Sequence, residues 1–169
     1  MQLRPHQEKA VEMIRNSLRR GKKRPILAAP CSFGKTITAA YIFEQAVKQG
    51  KRGIFICDRI KLVEQSLEAF DVQGIEIGVM QGNHRRSDNE MPVQIASIQT
   101  LSRRSRMPLF DFAIVDECHT VHKHLLKMMQ AYNNVPFIGL SATPFSKGLG
   151  NVYDDLIVPI TPVQLLEYD

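Results

Sequence analysis

Residues 25–36 read PILAAPCSFGKT, in which an apolar run leads into a turn of small residues and then into Gly34-Lys35-Thr36. The apolar run predicts a buried strand, and the turn predicts a junction between that strand and a helix. Backbone N–H groups in such a turn can converge on phosphate oxygens, and the helix start adds the positive end of its dipole. Lys35 adds a full positive charge at the same place. The predicted phosphate-binding loop consists of Ala29, Pro30, Cys31, Ser32, Phe33, Gly34, Lys35 and Thr36.

Two features of this loop depart from the usual phosphate-loop pattern, which begins with glycine. Ala29 stands at the first glycine position, and Cys31, Ser32 and Phe33 are bulkier than the middle of such a loop often is. An ordinary strand-turn-helix junction that happens to contain Gly-Lys-Thr is therefore the alternative. A second signal is needed to choose between the two, and it lies at residues 110–119.

Residues 110–115 read FDFAIV, which has the near-continuous apolar character of a strand inside a parallel sheet. Such strands present functional residues at their carboxyl ends, and here Asp116 and Glu117 follow. Two adjacent carboxylates are costly to bury unless a cation neutralises them, so we expect Asp116 to hold Mg²⁺. Glu117 is then free to orient or deprotonate a water molecule. A solvated acidic turn after a strand is the alternative, but it leaves the phosphate-binding loop unexplained.

In combination, these residues resemble those of superfamily 2 helicases and translocases. Residues 29–36 match motif I of that family, residues 116–119 match motif II in its DECH form, and residues 141–143, Ser-Ala-Thr, match motif III. The match extends over nearly the whole chain. It implies a RecA-like domain that binds ATP and Mg²⁺, with ATP hydrolysis as the activity.

The resemblance assigns a role to the side chains of these motifs. Thr36 gives its hydroxyl to Mg²⁺, which Asp116 also binds, and Lys35 reaches the β- and γ-phosphates. His119 links the nucleotide site to motif III, in which Ser141 and Thr143 are the coupling residues. The implied catalytic residues are Lys35, Asp116, Glu117 and His119.

The start of the chain resembles a further segment of the family. Residues 3–7, LRPHQ, are similar to the Leu-Arg-Pro-aromatic-Gln segment that opens many members and contacts adenine, with His6 at the aromatic position. The resemblance implies that Arg4 and Gln7 belong to the nucleotide site, and that Gln7 contacts the base.

Two segments resemble the nucleic-acid motifs of the family. Residues 54–65, IFICDRIKLVEQ, look like motif Ia of the branch that includes restriction-enzyme motors and repair translocases, and residues 95–101, IASIQTL, look like motif Ib. In the family, the position of Arg59 faces the phosphate backbone of the nucleic acid. The implied nucleic-acid contacts are Arg59, Gln99 and Thr100.

Apolar runs and helical patterns alternate along the chain. An opening helix over about 5–20 places Val11, Ile14 and Leu18 on one face, with Pro5 in its first turn. The alternation predicts an α/β fold with a mostly parallel sheet covered on both faces, which is the RecA-like three-layer sandwich. Strands are expected near 25–29, 53–57, 75–79, 93–97, 111–115 and 136–140, and further helices near 35–49, 60–70 and 121–132.

The length of 169 residues suits one domain, and 44% hydrophobic residues can form a sizeable core. We expect a RecA-like ATP-binding domain over residues 1–153 and, over residues 154–169, the start of a linker to a second RecA-like domain that is absent. Superfamily 2 motors close two such domains around ATP, and the second supplies arginines to the γ-phosphate. We therefore expect the isolated chain to hydrolyse ATP very slowly.

Basic residues exceed acidic ones, 22 against 17, which gives a formal charge of +5. They gather at residues 19–24, RRGKKR, and at residues 103–106, RRSR. Both runs favour an anionic polymer as a partner, although a solvated turn is the alternative for either. We expect DNA rather than RNA, a choice that the residues themselves do not decide.

Cys31, Cys57 and Cys118 are too few and too scattered for a disulfide framework or a zinc site. The chain starts without the apolar core of a signal peptide, and no apolar run approaches the ~20 residues that a membrane span requires. We expect an intracellular protein without a membrane partner. His119 and His122 have i, i+3 spacing, but they lack the further ligands that would predict a metal site.

These predictions describe an ATP-dependent nucleic-acid helicase or translocase. Two alternatives stay open. A self-contained phosphate-loop kinase would need a substrate pocket and a lid, and the matches at residues 3–7 and 141–143 argue against it. A nucleic-acid-binding module that uses the nucleotide as a switch, without hydrolysing it, would carry the same motifs.

Overall fold

A computed structural model of the protein describes residues 2–81 and 83–166. Within these residues, the strands of one sheet are β1 Pro25–Ala28, β2 Gly53–Cys57, β3 Gly78–Val79, β4 Val93–Ser97, β5 Phe112–Val115, β6 Phe137–Ser141 and β7 Asp155–Ile157. Their order across the sheet is β3-β4-β2-β5-β6-β1-β7, and every neighbouring pair is parallel. All strands therefore start at one end of the sheet, the amino end, and finish at the other, the carboxyl end.

Helices form most of the connections between these strands. Their bounds are α1 Pro5–Arg19, α2 Lys35–Lys48, α3 Ile60–Val72, α4 Ile98–Arg103, α5 Lys123–Ala131 and α6 Pro162–Leu166. Because parallel strands require crossovers, α2 joins β1 to β2, α3 joins β2 to β3, α4 joins β4 to β5, and α5 joins β5 to β6. The described helices include none with both the length and the apolar character that a bilayer crossing requires.

Both faces of the sheet are covered, since successive residues of a strand point to opposite faces. In β2, Phe55 and Cys57 pack into a core shared with α1, α2 and α3, whereas Ile54 and Ile56 pack into a core shared with α4 and α5. Phe70 of α3 lies against Phe55, with 5.1 Å between the ring centroids. The predicted α/β three-layer sandwich with a parallel sheet is confirmed.

The structure contains a strand where the sequence predicts a linker. Asp155–Ile157 form β7, which pairs in parallel with β1 in the register Ile26 to Leu156. Local pattern could not indicate this strand, because it has three residues, it begins with an aspartate, and Leu156 is 49% exposed. Residues 167–169 of the predicted linker lie outside the described residues.

The remaining differences concern short elements. The predicted strand at 75–79 is reduced to Gly78–Val79, and the short helix α4 has no counterpart in the predictions. Six residues are too few for a helical period to be recognised, and the start of α4 depends on a local cap. The hydroxyl of Ser97 accepts the N–H of Thr100 at 3.1 Å.

Candidate functional site

The loops after β1, β5 and β6 meet at the carboxyl end of the sheet, because these strands are neighbours. In that order, the loops carry the predicted phosphate-binding loop, residues 116–119 and residues 141–143. The N–H of Ala29 donates to the carbonyl oxygen of Ser141 at 2.9 Å, which ties the first loop to the third. The structure thus brings the three predicted nucleotide motifs together on one surface.

The phosphate-binding loop is a turn of 3₁₀ helix followed by glycine. Cys31–Phe33 form the turn, Gly34 has a φ of +83°, and α2 begins at Lys35. This left-handed conformation favours glycine, and a Cβ at Gly34 would also lie 2.5 Å from Nε2 of Gln7. Nζ of Lys35 lies 3.4 Å from the carbonyl oxygen of Ala29. A helix start and an ammonium group therefore coincide, which suits an anionic ligand.

Residues 3–7 pack against the phosphate-binding loop. Nε2 of Gln7 donates to the carbonyl of Phe33 at 3.0 Å, and Oε1 of Gln7 accepts the N–H of Arg4 at 2.9 Å. Gln7 is 3% exposed, and the ring of His6 lies 4.9 Å from that of Phe33. Gln7 therefore holds the loop in place, a role that the sequence pattern did not indicate. Its contact to adenine stays a prediction.

Asp116 and Glu117 follow β5, and both side chains are partly buried. Burial raises the pKa of Asp116 and the neighbouring Glu117 raises it further, whereas Lys35 acts in the opposite direction. A cation would relieve the repulsion between the two carboxylates. Thr36 and Asp116 offer oxygen donors, and proteins commonly hold Mg²⁺ through one or two carboxylates together with phosphate groups. The donor set therefore fits a nucleotide with Mg²⁺.

Glu117 has a φ of +47°, in the left-handed region that residues with a side chain rarely adopt. Such conformations cost ~1–3 kcal/mol and persist where the surrounding structure enforces them. The next residue, Cys118, is 1% exposed and packs against Gly139, where a Cβ would lie 2.6 Å from its Sγ. Burial raises the pKa of the Cys118 thiol to about 12, so this cysteine is a neutral packing group.

His119 connects the acidic loop to the end of β6. Its Nδ1 lies 3.0 Å from Oγ of Ser141 and 3.3 Å from Oε2 of Glu117. The same Ser141 hydroxyl accepts the N–H of Thr143 at 3.0 Å. The residues that the resemblance assigns to motifs II and III are therefore in direct contact, and their role in coupling stays a prediction.

The predicted nucleic-acid residues lie beside this site, at the ends of β2 and β4. Arg59 precedes α3, and its side chain is 75% exposed. Oε1 of Gln99 accepts the N–H of Ile60 at 3.2 Å, which joins the first turns of α4 and α3. Thr100 is bonded to the capping residue Ser97 through both its N–H and its hydroxyl, a structural use that the motif did not predict. A depression of about 390 Å³ beside them is lined by Ile60, Gln81, Gln99, Thr100, Arg103 and Arg104.

The two basic runs lie in different places. Residues 19–24 lead into β1 and therefore lie at the amino end of the sheet, away from the nucleotide motifs. Arg20 pairs with Asp155 at 2.8 Å, and Arg24 donates to the carbonyl of Met129 at 2.7 Å. Residues 103–106 begin at the last residue of α4, and Arg103 lines the depression next to Gln99. Only the second run adjoins the predicted nucleic-acid residues.

His122 does not pair with His119. Its Nε2 instead bonds to Oδ1 of Asp58, which follows β2. Within residues 2–81 and 83–166, no group of three or more histidine, cysteine, aspartate and glutamate side chains could hold a metal. The spacing of the two histidines gave no sign of the Asp58 contact, because the partners are 64 residues apart in sequence.

The fold and this site together define a RecA-like domain of superfamily 2 helicases and translocases. The model of the ResIII family, described as type III restriction enzyme, res subunit, matches residues 1–146. The chain belongs to this family. Domains of this superfamily are helicase- and translocase-like ATPases that use ATP with Mg²⁺.

One curated relative is the endonuclease subunit of the type I restriction enzyme EcoKI from Escherichia coli strain K12. The two sequences are 32% identical over 133 residues. The aligned region makes up 69% of this chain and 11% of the relative. The chain thus spans about a tenth of the relative's length.

Solved structures share the fold. The UvsW helicase from bacteriophage T4 superimposes with a TM-score of 0.78 at 20% identity, over 94% of this chain and 61% of that one. The Sulfolobus solfataricus SWI2/SNF2 ATPase core in complex with dsDNA superimposes with a TM-score of 0.66 at 21% identity. The superposition covers 88% of this chain and 34% of that one. A nuclease-deletion mutant of the type ISP restriction-modification enzyme LlaGI, in complex with a DNA substrate mimic, superimposes with a TM-score of 0.75 at 20% identity. The superposition covers 100% of this chain and 21% of that one. At these identities the likeness concerns the fold.

Proposed function

We propose that this chain is the N-terminal ATP-binding domain of a DNA helicase or translocase. The observation that carries the proposal is the convergence of three sequence motifs on adjacent loops, in which His119 of the second motif bonds to Ser141 of the third. A phosphate-loop kinase would not need a contact between Glu117, His119 and Ser141. The ResIII family assignment supports the same choice.

The proposed chemistry distributes tasks among the residues of the site. When bound, ATP with Mg²⁺ supplies the phosphoanhydride bond to be cleaved and a divalent charge on its phosphates. Lys35 and the N–H groups of residues 29–34 bind the phosphates, while Thr36 and Asp116 hold the cation. Glu117 orients the attacking water and accepts its proton. Its carboxylate lies 3.3 Å from His119, which keeps the base in position.

Arg59 is the proposed contact to the phosphate backbone of the nucleic acid, because it is exposed at the carboxyl end of β2, beside the nucleotide loops. Gln99 and Arg103 extend this surface. Thr100 contributes chiefly as the partner of Ser97, which caps the start of α4. DNA is favoured as the track, since two solved structures of the same fold are complexes with dsDNA or a DNA mimic.

The proposal includes a second RecA-like domain in the working motor, joined through the part of the chain that follows β7. Arginines from such a domain stabilise the charge that develops on the γ-phosphate, and one of them can be worth ~10³–10⁵ in rate. Hydrolysis by residues 1–169 alone is therefore expected to be very slow. We also propose that the protein is intracellular, which agrees with DNA as its track.

Magnesium-dependent nucleotide binding tests the proposal. A fluorescent ATP analogue is titrated into the chain with Mg²⁺ and with EDTA, and Mg²⁺ should tighten binding. Asp116→Asn should remove most of this effect, because it removes the charge that holds the cation. Asp111→Asn is the matched control, since Asp111 lies at the amino end of the same strand and bonds to the N–H of Arg52. Equal binding by the parent chain in Mg²⁺ and EDTA would contradict the assignment.

A further inference from the structure

Asp58 lies between the two halves of the proposed site. It follows β2, and β2 is the neighbour of β4 on one side and of β5 on the other. The loop after β4 carries predicted nucleic-acid residues, and the loop after β5 carries the acidic pair. Asp58 is thus placed at the boundary between the nucleic-acid side and the nucleotide side of the carboxyl end.

The two carboxylate oxygens of Asp58 contact opposite sides of this boundary. Oδ2 lies 3.3 Å from Nε of Arg59, and Oδ1 bonds to Nε2 of His122. The side chain of Asp58 is 17% exposed, whereas that of Arg59 is 75% exposed. An ionised carboxylate only accepts hydrogen bonds, so Nε2 of His122 carries the hydrogen. One partly buried group therefore holds a proposed DNA contact and a histidine of the nucleotide loop.

His122 ends the segment that contains Glu117, the proposed catalytic base. Glu117 has its strained backbone at the start of this segment, His119 contacts both Glu117 and Ser141, and His122 directly precedes α5. The helix α5 is anchored separately, through the buried side chains of Leu125, Met128 and Met129. The segment 117–122 is thus fixed to the rest of the protein at the end of β5, at Ser141 and at Asp58.

We propose that the Asp58–His122 contact couples DNA binding at Arg59 to the nucleotide site. The inference rests on the proposed function of this site. A DNA phosphate at the Arg59 guanidinium competes with Asp58 for that cation, and the carboxylate then interacts more strongly with His122. His122 in turn sets the position of segment 117–122, which holds Glu117. Asp58 and His122 are positioning residues in this scheme and touch neither substrate.

Coupling between two binding sites is measured as a ratio of affinities, and it is reciprocal. The Kd of a fluorescent DNA duplex is measured at low salt for the whole chain, with and without a saturating non-hydrolysable ATP analogue and Mg²⁺. For the parent chain we expect the two Kd values to differ by roughly 5-fold or more, the lower end of typical coupling. In His122→Ala the ratio should approach one, while binding of the nucleotide alone changes much less.

Three further variants separate coupling from general damage. His122→Gln retains an N–H donor for Asp58 and should restore most of the ratio. Asp58→Asn removes the charge that interacts with Arg59, so its ratio of Kd values should approach one. This variant tests the coupling even if His122→Ala does not fold. His124→Ala is the matched control, because the side chain of His124, in the first turn of α5, has no hydrogen bond or ion pair with a described residue, so the variant should behave like the parent.

The outcomes that overturn the inference differ from those that overturn the proposed function. A parent chain that binds both ligands with a ratio of one refutes coupling and leaves the function standing. A parent-like ratio in folded Asp58→Asn or folded His122→Ala also refutes it. A parent chain that binds neither DNA nor the nucleotide refutes the proposed function and the coupling with it.

Discussion

The amino and carboxyl ends of the sheet both carry charged residues, but they use them in opposite ways. At the amino end, the carboxylate of Asp154 accepts the N–H groups of Lys23 and Arg24 at 2.8 and 2.9 Å. At the carboxyl end, Lys35 has a single described hydrogen bond, at 3.4 Å, to the loop that it belongs to. At the amino end Asp154 is bonded to the backbone and Arg20 is paired with Asp155, whereas at the carboxyl end the Lys35 ammonium and the exposed Arg59 are the groups that the proposed function assigns to ligands.

Arg24 shows how completely a basic residue can be absorbed by the fold. Its guanidinium donates to the carbonyls of Met129 and Val135, at 2.7 and 2.8 Å, and lies 4.9 Å from the centre of the Phe137 ring. Arg59 is mostly exposed, and its recorded ion pair is with the adjacent Asp58. The comparison teaches that basic residues in a sequence indicate a nucleic-acid surface only when their side chains stay exposed and are not bonded to distant parts of the protein.

The largest expected effect is that of Glu117→Gln at the carboxyl end. It keeps the volume of the side chain but removes the base, so turnover by the motor with both RecA-like domains should fall by ~10²–10⁴. Binding of ATP should be retained. Steady-state ATP hydrolysis and nucleotide titration measure the two effects, with Glu90→Gln at the exposed amino end as the control. Near-normal turnover in Glu117→Gln would mean that another group activates the water.

Lys35→Ala should come next in size. A hydrogen bond to a charged group is worth ~1.5–3 kcal/mol, so the affinity for the ATP analogue should fall by roughly 10–100-fold. The stability of the fold should change little, because the ammonium has few partners within the described residues. Lys48→Ala, at the other end of the same helix, should leave affinity unchanged. Unchanged affinity in a folded Lys35→Ala chain would remove the phosphate-binding loop from the proposal.

Arg24→Ala tests the amino end. Removing the guanidinium leaves two carbonyls without their donors and the Phe137 ring without its cation, so the free energy of unfolding should fall by about 1–2 kcal/mol. Nucleotide and DNA affinity should not change. Urea unfolding measures the loss, and Lys22→Ala provides an exposed control within the same run. If Arg24→Ala lost affinity for DNA without losing stability, the amino end of the sheet would also contact DNA, and the proposed difference between the two ends would be wrong.

The smallest expected effect is that of Arg59→Ala. The chain should bind DNA with a log–log salt slope of about two to four, and each neutralised phosphate contributes ~0.7–0.9 to that slope. In the variant the salt slope should fall by nearly one unit, and binding should weaken equally for all DNA sequences, because backbone contacts carry no base information. Arg20→Ala, whose guanidinium pairs with Asp155, should keep the parent slope. Loss confined to one DNA sequence would contradict the backbone contact.

The sequence predicts the parts of this molecule that have local signatures. Gly-Lys-Thr after an apolar run and the acidic pair after residues 110–115 are the local signatures of the candidate site, and the alternation of strands and helices predicted the parallel sheet. Features that depend on distant partners were not predictable. The position of β7 relies on contacts of Asp154 and Asp155 with residues 17–24. The support that Gln7 gives to Phe33 likewise has no signature in either segment.

The place of β1 in the sheet has a consequence for synthesis on the ribosome. The strand that leads into the phosphate-binding loop precedes the other described strands in sequence, yet its neighbours in the sheet are β6 and β7, which follow all the others. The nascent chain must therefore keep both edges of β1 unpaired until about residue 141 has emerged, and the edge that faces β7 unpaired until about residue 157. A gene fragment that stops at residue 153 would leave β1 at the border of the sheet, with open hydrogen-bonding groups that invite aggregation.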